Sequence, residues 1–322
     1  MEVAENTKAS WSTPLAGVQQ KLLGAHFLLL TRLLRQSARS DFAPFEPQNL
    51  MERRIVLTLF GVEEGRVSQL AAMLGNDLAQ VSRALTSMRT AGLITRGRQR
   101  DPYELTSTGL ELGESLNAVA IQRERLLTAG LTPQQMFDLA GLMTNLLKNA
   151  SSLLVEEEAH ARGSDGLANA HGVSEATEIH SRIEPAILNL STTIARSATL
   201  AFKRSTGLSN YEWRILANIA DRPSISFMEL VIHVDSDKAQ VSRALNPMVR
   251  KDLLSRRRSG RNDTARFTMT EKGRRLHDIM RQDSLRRNSL LVANLKTQQR
   301  RRLQAYLDLL ITNAAGMAGR LD

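Results

Sequence analysis

The stretch "QVSRALTSMRTAGL" (residues 80–93) returns 160 residues later as "QVSRALNPMVRKDL" (residues 240–253). At this offset residues 50–96 align with residues 210–256, and 15 of the 47 aligned pairs are identical. Past a basic stretch the offset becomes 164, which pairs Thr106 with Thr270. A period of this length corresponds to a whole domain and not to a solenoid unit. The sequence therefore predicts two related domains in one chain.

Composition sets limits on the class of protein. The 322 residues suffice for two domains, and 4% aromatic residues favour helical cores over β-sandwiches. The chain has no cysteine, and we see neither a signal peptide nor an apolar run of membrane-spanning length. We therefore expect a cytoplasmic protein without a membrane partner. The net charge of +10 suits a polyanionic partner, nucleic acid before membrane.

A compositional shift suggests where the two domains meet. Residues 159–177, "AHARGSDGLANAHGVSEAT", are rich in Gly, Ala, Ser and Asp and show no apolar period. We expect a flexible linker there, reaching about 60 Å at most. The predicted domains are residues 15–158 and 178–322.

Apolar spacing predicts that each domain is mostly helical. The predicted helices cover residues 22–34, 50–60, 69–74, 107–128 and 133–157 in the first domain and 183–201, 211–220, 228–234, 271–294 and 298–316 in the second. Short β segments are expected near residues 66–68 and 224–226. The repeated stretch is itself a helix, for which Asn76 and Ser236 are the expected N-caps.

The repeated helix has two distinct faces. Val81, Ala84, Leu85, Met88 and Gly92 fall on a core side. Polar and basic residues cover the opposite side, where glutamine can pair with adenine, arginine with guanine, and serine with phosphate. These candidate DNA-binding residues are Gln80, Ser82, Arg83, Thr86 and Ser87 in the first copy and Lys238, Gln240, Ser242, Arg243, Asn246 and Arg250 in the second. A merely solvated helix face is the alternative. Pro247 lies on the outer face, so we expect a bend and not a lost helix.

The order of elements favours a winged helix. A short helix, a tight turn and a capped second helix are typical of a helix-turn-helix. A basic hairpin follows, with "RSGRND" as its turn in the second copy and Ala265, Phe267 and Met269 alternating inward. Its candidate DNA-binding residues are Arg96, Arg98 and Arg100 in the first copy and Arg256, Arg257, Arg258 and Arg261 in the second.

Residues 211–273 resemble the DNA-binding core of the MarR family of regulators. The resemblance rests on Trp213-Arg214, Val241-Ser242-Arg243, Leu253-Leu254 and the Thr270–Gly273 spacing. It extends over nearly the whole chain, twice, although Arg53 stands where the first copy would have the tryptophan. Because such regulators are normally dimers of one-domain chains, the resemblance implies two fused protomers. We expect a mainly α fold with small β-wings and long dimerisation-type helices, arranged as an intrachain pseudo-dimer; a homodimer with four winged helices is the alternative.

The resemblance also implies a function. We expect a sequence-specific transcriptional regulator, a repressor of a pseudo-palindromic double-stranded DNA operator that a small aromatic or phenolic effector releases. The candidate ligand-binding residues are His26, Arg54, Tyr211, Trp213 and Arg214. The halves differ in charge: residues 77–106 carry five basic and three acidic residues, against nine and three in residues 237–270. The second half is therefore expected to bind the DNA phosphate backbone more tightly than the first.

Three other classes of function remain open. For an enzyme, the sequence offers no Gly-rich phosphate loop, His-Glu metal spacing or nucleophile elbow, and its six histidines are scattered. We therefore expect no catalytic activity, metal or cofactor. A sequence-indifferent architectural DNA-binding protein and a protein-interaction scaffold are the remaining alternatives.

Overall fold

The structure is a computed structural model that describes residues 15, 17–45, 48–98, 100–162, 182–222, 224–234, 236–257 and 265–319. Arg258, Arg261, the expected wing turn and the linker beyond Arg162 lie outside these residues. None of the described helices combines the length and the apolar character needed to cross a bilayer.

The first half follows the predicted order of elements. A 3₁₀ helix at Gly17–Lys21 precedes the regular helices and strands. These are α1 (Leu23–Asp41), α2 (Leu50–Val62), β1 (Glu64–Gly65), α3 (Val67–Leu74), α4 (Leu78–Thr90), β2 (Ile94–Thr95), β3 (Tyr103–Leu105), α5 (Ser107–Leu127) and α6 (Pro133–Arg162). Helix α6 continues five residues beyond its predicted end at residue 157.

The second half repeats this order. Its elements are α7 (Ile183–Thr206), α8 (Asn210–Asp221), β4 (Ile225–Ser226), α9 (Phe227–Val234), α10 (Lys238–Arg250), β5 (Leu254–Arg257), β6 (Arg266–Met269), α11 (Glu271–Leu291) and α12 (Thr297–Ala318). Each half has a three-stranded antiparallel sheet, ordered β1-β3-β2 and β4-β6-β5. The predicted mainly α fold with small β-wings is thus confirmed.

The caps of the repeated helix differ from the prediction. Asp77 and Asp237 are the N-caps, each one residue after the predicted cap. The Asp77 carboxylate accepts a hydrogen bond from the backbone N–H of Gln80 at 2.8 Å, and the Asp237 carboxylate accepts one from that of Gln240 at 2.7 Å. A carboxylate at this position also interacts favourably with the positive end of the helix dipole.

The core stripe of the repeated helix is shorter than predicted. Val81, Ala84, Leu85 and Met88 are buried, but Gly92 is exposed, because α4 ends at Thr90. Gly92 has φ 71° and its counterpart Asp252 has φ 56°, so both continue the chain in the left-handed conformation that ends many helices. Helix α10 passes through Pro247 without ending, so the predicted helix is confirmed, whereas the bend at Pro247 stays a prediction.

Two compact units make up the described structure. Unit 1 contains the described residues up to His26 and Ala195–Leu290, and its core includes Trp213, Leu245 and Phe267. Unit 2 contains Phe27–Ile194 and the described residues from Leu291 onward, and its core includes Leu59, Leu85 and Tyr103. Each unit therefore holds one complete set of short helices, strands and repeated helix.

Candidate nucleic-acid interface

Helix α4 is anchored by one face and presents the other to solvent. Val81, Leu85 and Met88 are at most 1% exposed, whereas Gln80, Ser82, Arg83 and Thr86 are exposed. In α10, Val241, Leu245 and Met248 are buried in the same way, Lys238, Gln240, Arg243, Asn246 and Arg250 are exposed, and Ser242 is half-buried. The repeated glutamine and arginine thus lie on an accessible face in both halves.

The glutamine at the start of each repeated helix is held by a neighbour. Asn76 donates to Oε1 of Gln80 at 3.0 Å and accepts from Arg54 at 3.2 Å. In the other half Ser236 donates to Oε1 of Gln240 at 2.6 Å. Each bond uses one of the two acceptor positions of the amide oxygen, so it is compatible with a bidentate pair between the glutamine and adenine.

Ser87 has a contact that the sequence did not predict. Its hydroxyl donates to Oε1 of the buried Glu52 at 2.8 Å, and Oε2 of Glu52 accepts from the backbone N–H of Asn49 at 2.9 Å. Ser87 therefore ties α4 to the capped start of α2. The equivalent residue in the second half is Pro247, which cannot make this bond.

The basic strands of the two hairpins lie beside the repeated helices. Arg256 and Arg257 are exposed on β5, where Arg257 pairs with Arg266 of β6. The Arg256 guanidinium lies 5.9 Å from the centroid of the Phe267 ring, and Arg96 lies 4.9 Å from that of Tyr103 in the first half. Arg98 and Arg100 are exposed. Each unit therefore carries a polar helix face and a basic hairpin.

Four of the five candidate ligand residues have structural contacts in unit 1. Trp213 is 5% exposed. Its ring stacks on that of His277 with the centroids 5.3 Å apart, and its centroid lies 5.9 Å from that of the Phe202 ring. Arg214 donates to the Val234 carbonyl and lies 5.9 Å from the Tyr211 ring centroid. His26 approaches the Leu22 carbonyl, at 3.1 Å from Nδ1.

The fifth, Arg54, lines a cavity in unit 2. The cavity has a volume of about 190 Å³ and lies among α1, α2, the end of α3, α5 and the start of α7. Its charged lining consists of Arg35, Arg53, Arg54, Glu124, Arg182 and Glu184. Apart from Arg54 the sequence did not identify these groups, because they are brought together from helices more than 140 residues apart.

Helices of the second half also pack on the first half within unit 2. Asn313 of α12 donates to the carbonyls of Leu127 and Ala129 at 2.8 and 2.9 Å. The Tyr306 hydroxyl donates to Asp138 of α6 at 3.0 Å. Helix α12 is thereby joined to both long helices of the first half.

The start of each half's first helix is bound in a matching way. Glu124 accepts from the backbone N–H of Ile183 at 2.6 Å, and Asn288 accepts from that of Leu23 at 2.8 Å. Glu124 and Asn288 are equivalent at the offset of 164, and Leu23 and Ile183 at the offset of 160. Each unit therefore contains the same contact between a long helix of one half and the first helix of the other half.

Comparisons with known proteins match one segment of the chain to a family model and parts of the chain to two solved structures. Residues 206–262 match the model of the MarR family. The solved structure of a MarR/EmrR family transcriptional regulator from Acinetobacter sp. ADP1 is similar over 37% of this chain and 84% of its own, with 21% identity and a TM-score of 0.34. A MarR protein from Peptoclostridium difficile is similar over 50% of this chain and 100% of its own, with 17% identity and a TM-score of 0.40. No curated protein matches the chain.

Proposed function

Since this chain carries a MarR-family segment at residues 206–262, we propose that it is a DNA-binding transcriptional regulator with two reading heads. Each head consists of the repeated helix and the basic hairpin of one half. One observation carries this proposal: in each half an exposed glutamine and an exposed arginine of the Gln-x-Ser-Arg motif lie on a core-anchored helix beside a basic hairpin. A helix of this kind fits the major groove, and the hairpin arginines suit the phosphate backbone.

The two heads belong to one pseudo-dimeric chain, divided into residues 15–158, a linker at 159–177 whose first four residues continue helix α6, and residues 178–322. Support comes from the matched contacts of Glu124 with Ile183 and of Asn288 with Leu23, and from α12 packing on α5 and α6. A one-domain regulator makes such contacts between two chains. Here they are made between the halves of one chain, so one chain reads a pseudo-palindromic operator whose half-sites lie about one helical turn apart.

The regulator acts as a cytoplasmic repressor that a small ligand releases. The cavity in unit 2 supports a ligand response, because it lies between α2, which is tied to the repeated helix through Glu52 and Ser87, and the long helix α5. A ligand bound there can favour one position of α2 relative to α5. Operator affinity then changes by the ligand's differential affinity for the two positions.

Selection of bound fragments from genomic DNA, followed by fluorescence anisotropy, tests this function. The purified full-length chain is titrated with a selected fragment and with a shuffled fragment of equal composition at fixed salt. A sequence-specific regulator prefers the selected fragment by about 10³-fold or more. Equal affinity for both fragments indicates an architectural DNA-binding protein instead, and the absence of DNA binding indicates a scaffold.

A further inference from the structure

The glutamine that opens the first repeated helix is the last of three side chains joined by hydrogen bonds, here called the amide relay. Arg54 of α2 donates from Nη1 to Oδ1 of Asn76 at 3.2 Å, and Asn76 donates from Nδ2 to Oε1 of Gln80 at 3.0 Å. Arg54 also donates from Nη2 to the Leu74 carbonyl at 2.9 Å, which ties its guanidinium to the turn between α3 and α4. Arg54 and Asn76 are half-buried and Gln80 is exposed, so the relay joins a tethered arginine to the accessible face of α4.

The chemistry of the arginine sets the direction of every bond in the amide relay. A guanidinium only donates, so Arg54 can bond only to the oxygen end of the Asn76 amide. The NH₂ end of Asn76 then faces Gln80, and only the oxygen of Gln80 can accept from it. The amide of Gln80 is therefore held in one orientation, with Oε1 toward Asn76 and Nε2 free to donate outward.

The second half keeps the arginine of the relay and changes its middle member. Arg214, the equivalent of the relay arginine, donates to the Val234 carbonyl at the corresponding turn. The middle position is Ser236, whose hydroxyl donates to Oε1 of Gln240 at 2.6 Å. A hydroxyl can accept as well as donate, so Ser236 can also bond to Nε2 when the Gln240 amide is turned over. The glutamine of the second half thus keeps its hydrogen bond in both orientations.

The orientation of a glutamine amide decides which base edge it matches in the major groove. With Nε2 outward and one acceptor position of Oε1 still available, Gln80 matches adenine, which offers the N7 acceptor and the N6 donor. A glutamine that is turned over presents its oxygen outward, which suits a donor such as N4 of cytosine. A glutamine fixed in one orientation discriminates between these two patterns, whereas a glutamine that is bonded in both orientations accepts either.

We propose that Asn76 is a positioning residue for base readout: it fixes the orientation of Gln80, so that the first head reads its glutamine-contacted base pair more strictly than the second head does. This role rests on the DNA-binding function proposed above. One neutral hydrogen bond is worth about fivefold in an equilibrium. The preference for adenine over cytosine is therefore expected to be about fivefold greater at the position read by Gln80 than at the position read by Gln240.

Fluorescence anisotropy of the full-length chain tests this role on the selected operator and on its single-base-pair substitutions. Gln80→Ala and Gln240→Ala identify the two positions, because each variant flattens the base preference at the position that its glutamine reads. Asn76→Ser introduces the residue of the second half. It should lower the preference at the Gln80 position about fivefold and leave that at the Gln240 position, the internal control for folding, within about twofold.

Two further variants separate positioning from a structural role. In Asn76→Asp the carboxylate accepts from Arg54 and can only accept from Gln80, so the glutamine amide turns over and the preference shifts from adenine toward cytosine. In the Gln80→Ala background, Asn76→Ser should leave all base preferences unchanged. An Asn76 variant that weakens binding equally for every base, or that leaves the preference at the Gln80 position intact, would overturn the positioning role.

Hydrogen-exchange NMR of the full-length chain tests the amide relay without DNA. The side-chain NH₂ protons of Asn76 should exchange about fivefold more slowly than those of Gln80, because the former are bonded within the relay and the latter face solvent. The two signals are identified by their loss in Asn76→Asp and Gln80→Ala. Equal exchange with an intact operator preference contradicts the role of Asn76 alone, whereas the absence of any preferred sequence contradicts the proposed function and the readout role with it.

Discussion

Glu124 near the end of α5 accepts a hydrogen bond of 2.6 Å from the backbone N–H of Ile183 at the start of α7. In the other unit, Asn288 of α11 makes the equivalent bond to Leu23 of α1 at 2.8 Å. The same contact is thus made with a carboxylate in one half and with an amide in the other. Both side chains satisfy a helix N-terminal donor that would otherwise lack a partner within its helix.

The difference between these two acceptors predicts a pH effect. Burial raises the pKa of Glu124 above its ordinary value of 4.5. The unfolded chain then loses this proton at a lower pH than the folded chain, so the contribution of Glu124 to stability falls as pH rises from about 4.5 to its raised folded pKa. Glu124→Gln keeps an oxygen acceptor, as Asn288 does, and removes this dependence. Urea unfolding at several pH values should show the variant gaining stability relative to wild type over that range; parallel curves for the two proteins contradict the effect.

Replacing the buried Arg123 should destabilise the protein more than replacing an exposed arginine of the same helix. Arg123 is 2% exposed and bonded to Asp41 and, at 2.8 Å, to Glu184, so it links α1, α5 and α7. Arg123→Met leaves both carboxylates without this partner and should cost about 3 kcal/mol of unfolding free energy. Arg125→Met, at an exposed position of the same helix, is the control and should change stability by less than about 0.5 kcal/mol. A loss at Arg123 no greater than at Arg125 would show that the network does not stabilise the unit.

Base readout is tested at the repeated arginine. Arg83→Ala and Arg243→Ala should each cost about 1–3 kcal/mol on the selected operator and much less on shuffled DNA, because arginine discriminates guanine through paired hydrogen bonds. Anisotropy titrations on both DNAs measure the difference. Equal losses on the two DNAs would mean that these arginines contact only phosphate.

The wing of the second half is tested by its salt dependence. Replacing Arg256 and Arg257 by glutamine should weaken binding to all sequences and reduce the slope of log affinity against log salt by about 0.9 for each phosphate that is no longer neutralised. Arg125→Gln with Arg301→Gln removes the same charge from exposed positions of α5 and α12 and serves as the control. An unchanged slope in the wing variant would show that Arg256 and Arg257 do not contact DNA phosphates.

Local patterns predicted the elements well, and the distant contacts poorly. Apolar spacing located the helices, and the repeat identified α4 and α10 as equivalent. The predicted caps, Asn76 and Ser236, lie one residue before the observed caps, Asp77 and Asp237. All four are good cap types, and only the backbone geometry distinguishes them.

The cavity could not be foreseen from local patterns. Arg35 and Arg182 come from helices that no periodicity links, and Arg53 was visible only as a departure from the family's tryptophan. Similarly, the position of Ser87 on the helical wheel predicts that it lies on the DNA-facing side. Its bond to Glu52 depends on the packing of α4 against α2, which the wheel does not contain.

The proposed function depends above all on whether one chain supplies both reading heads. Light scattering coupled to size-exclusion chromatography at micromolar concentration, with and without one equivalent of the selected operator, decides this. We expect a particle near the chain mass of 35.8 kDa that binds the operator one-to-one. A stable particle of twice that mass, or two chains on one operator, would show instead that the heads are shared between chains.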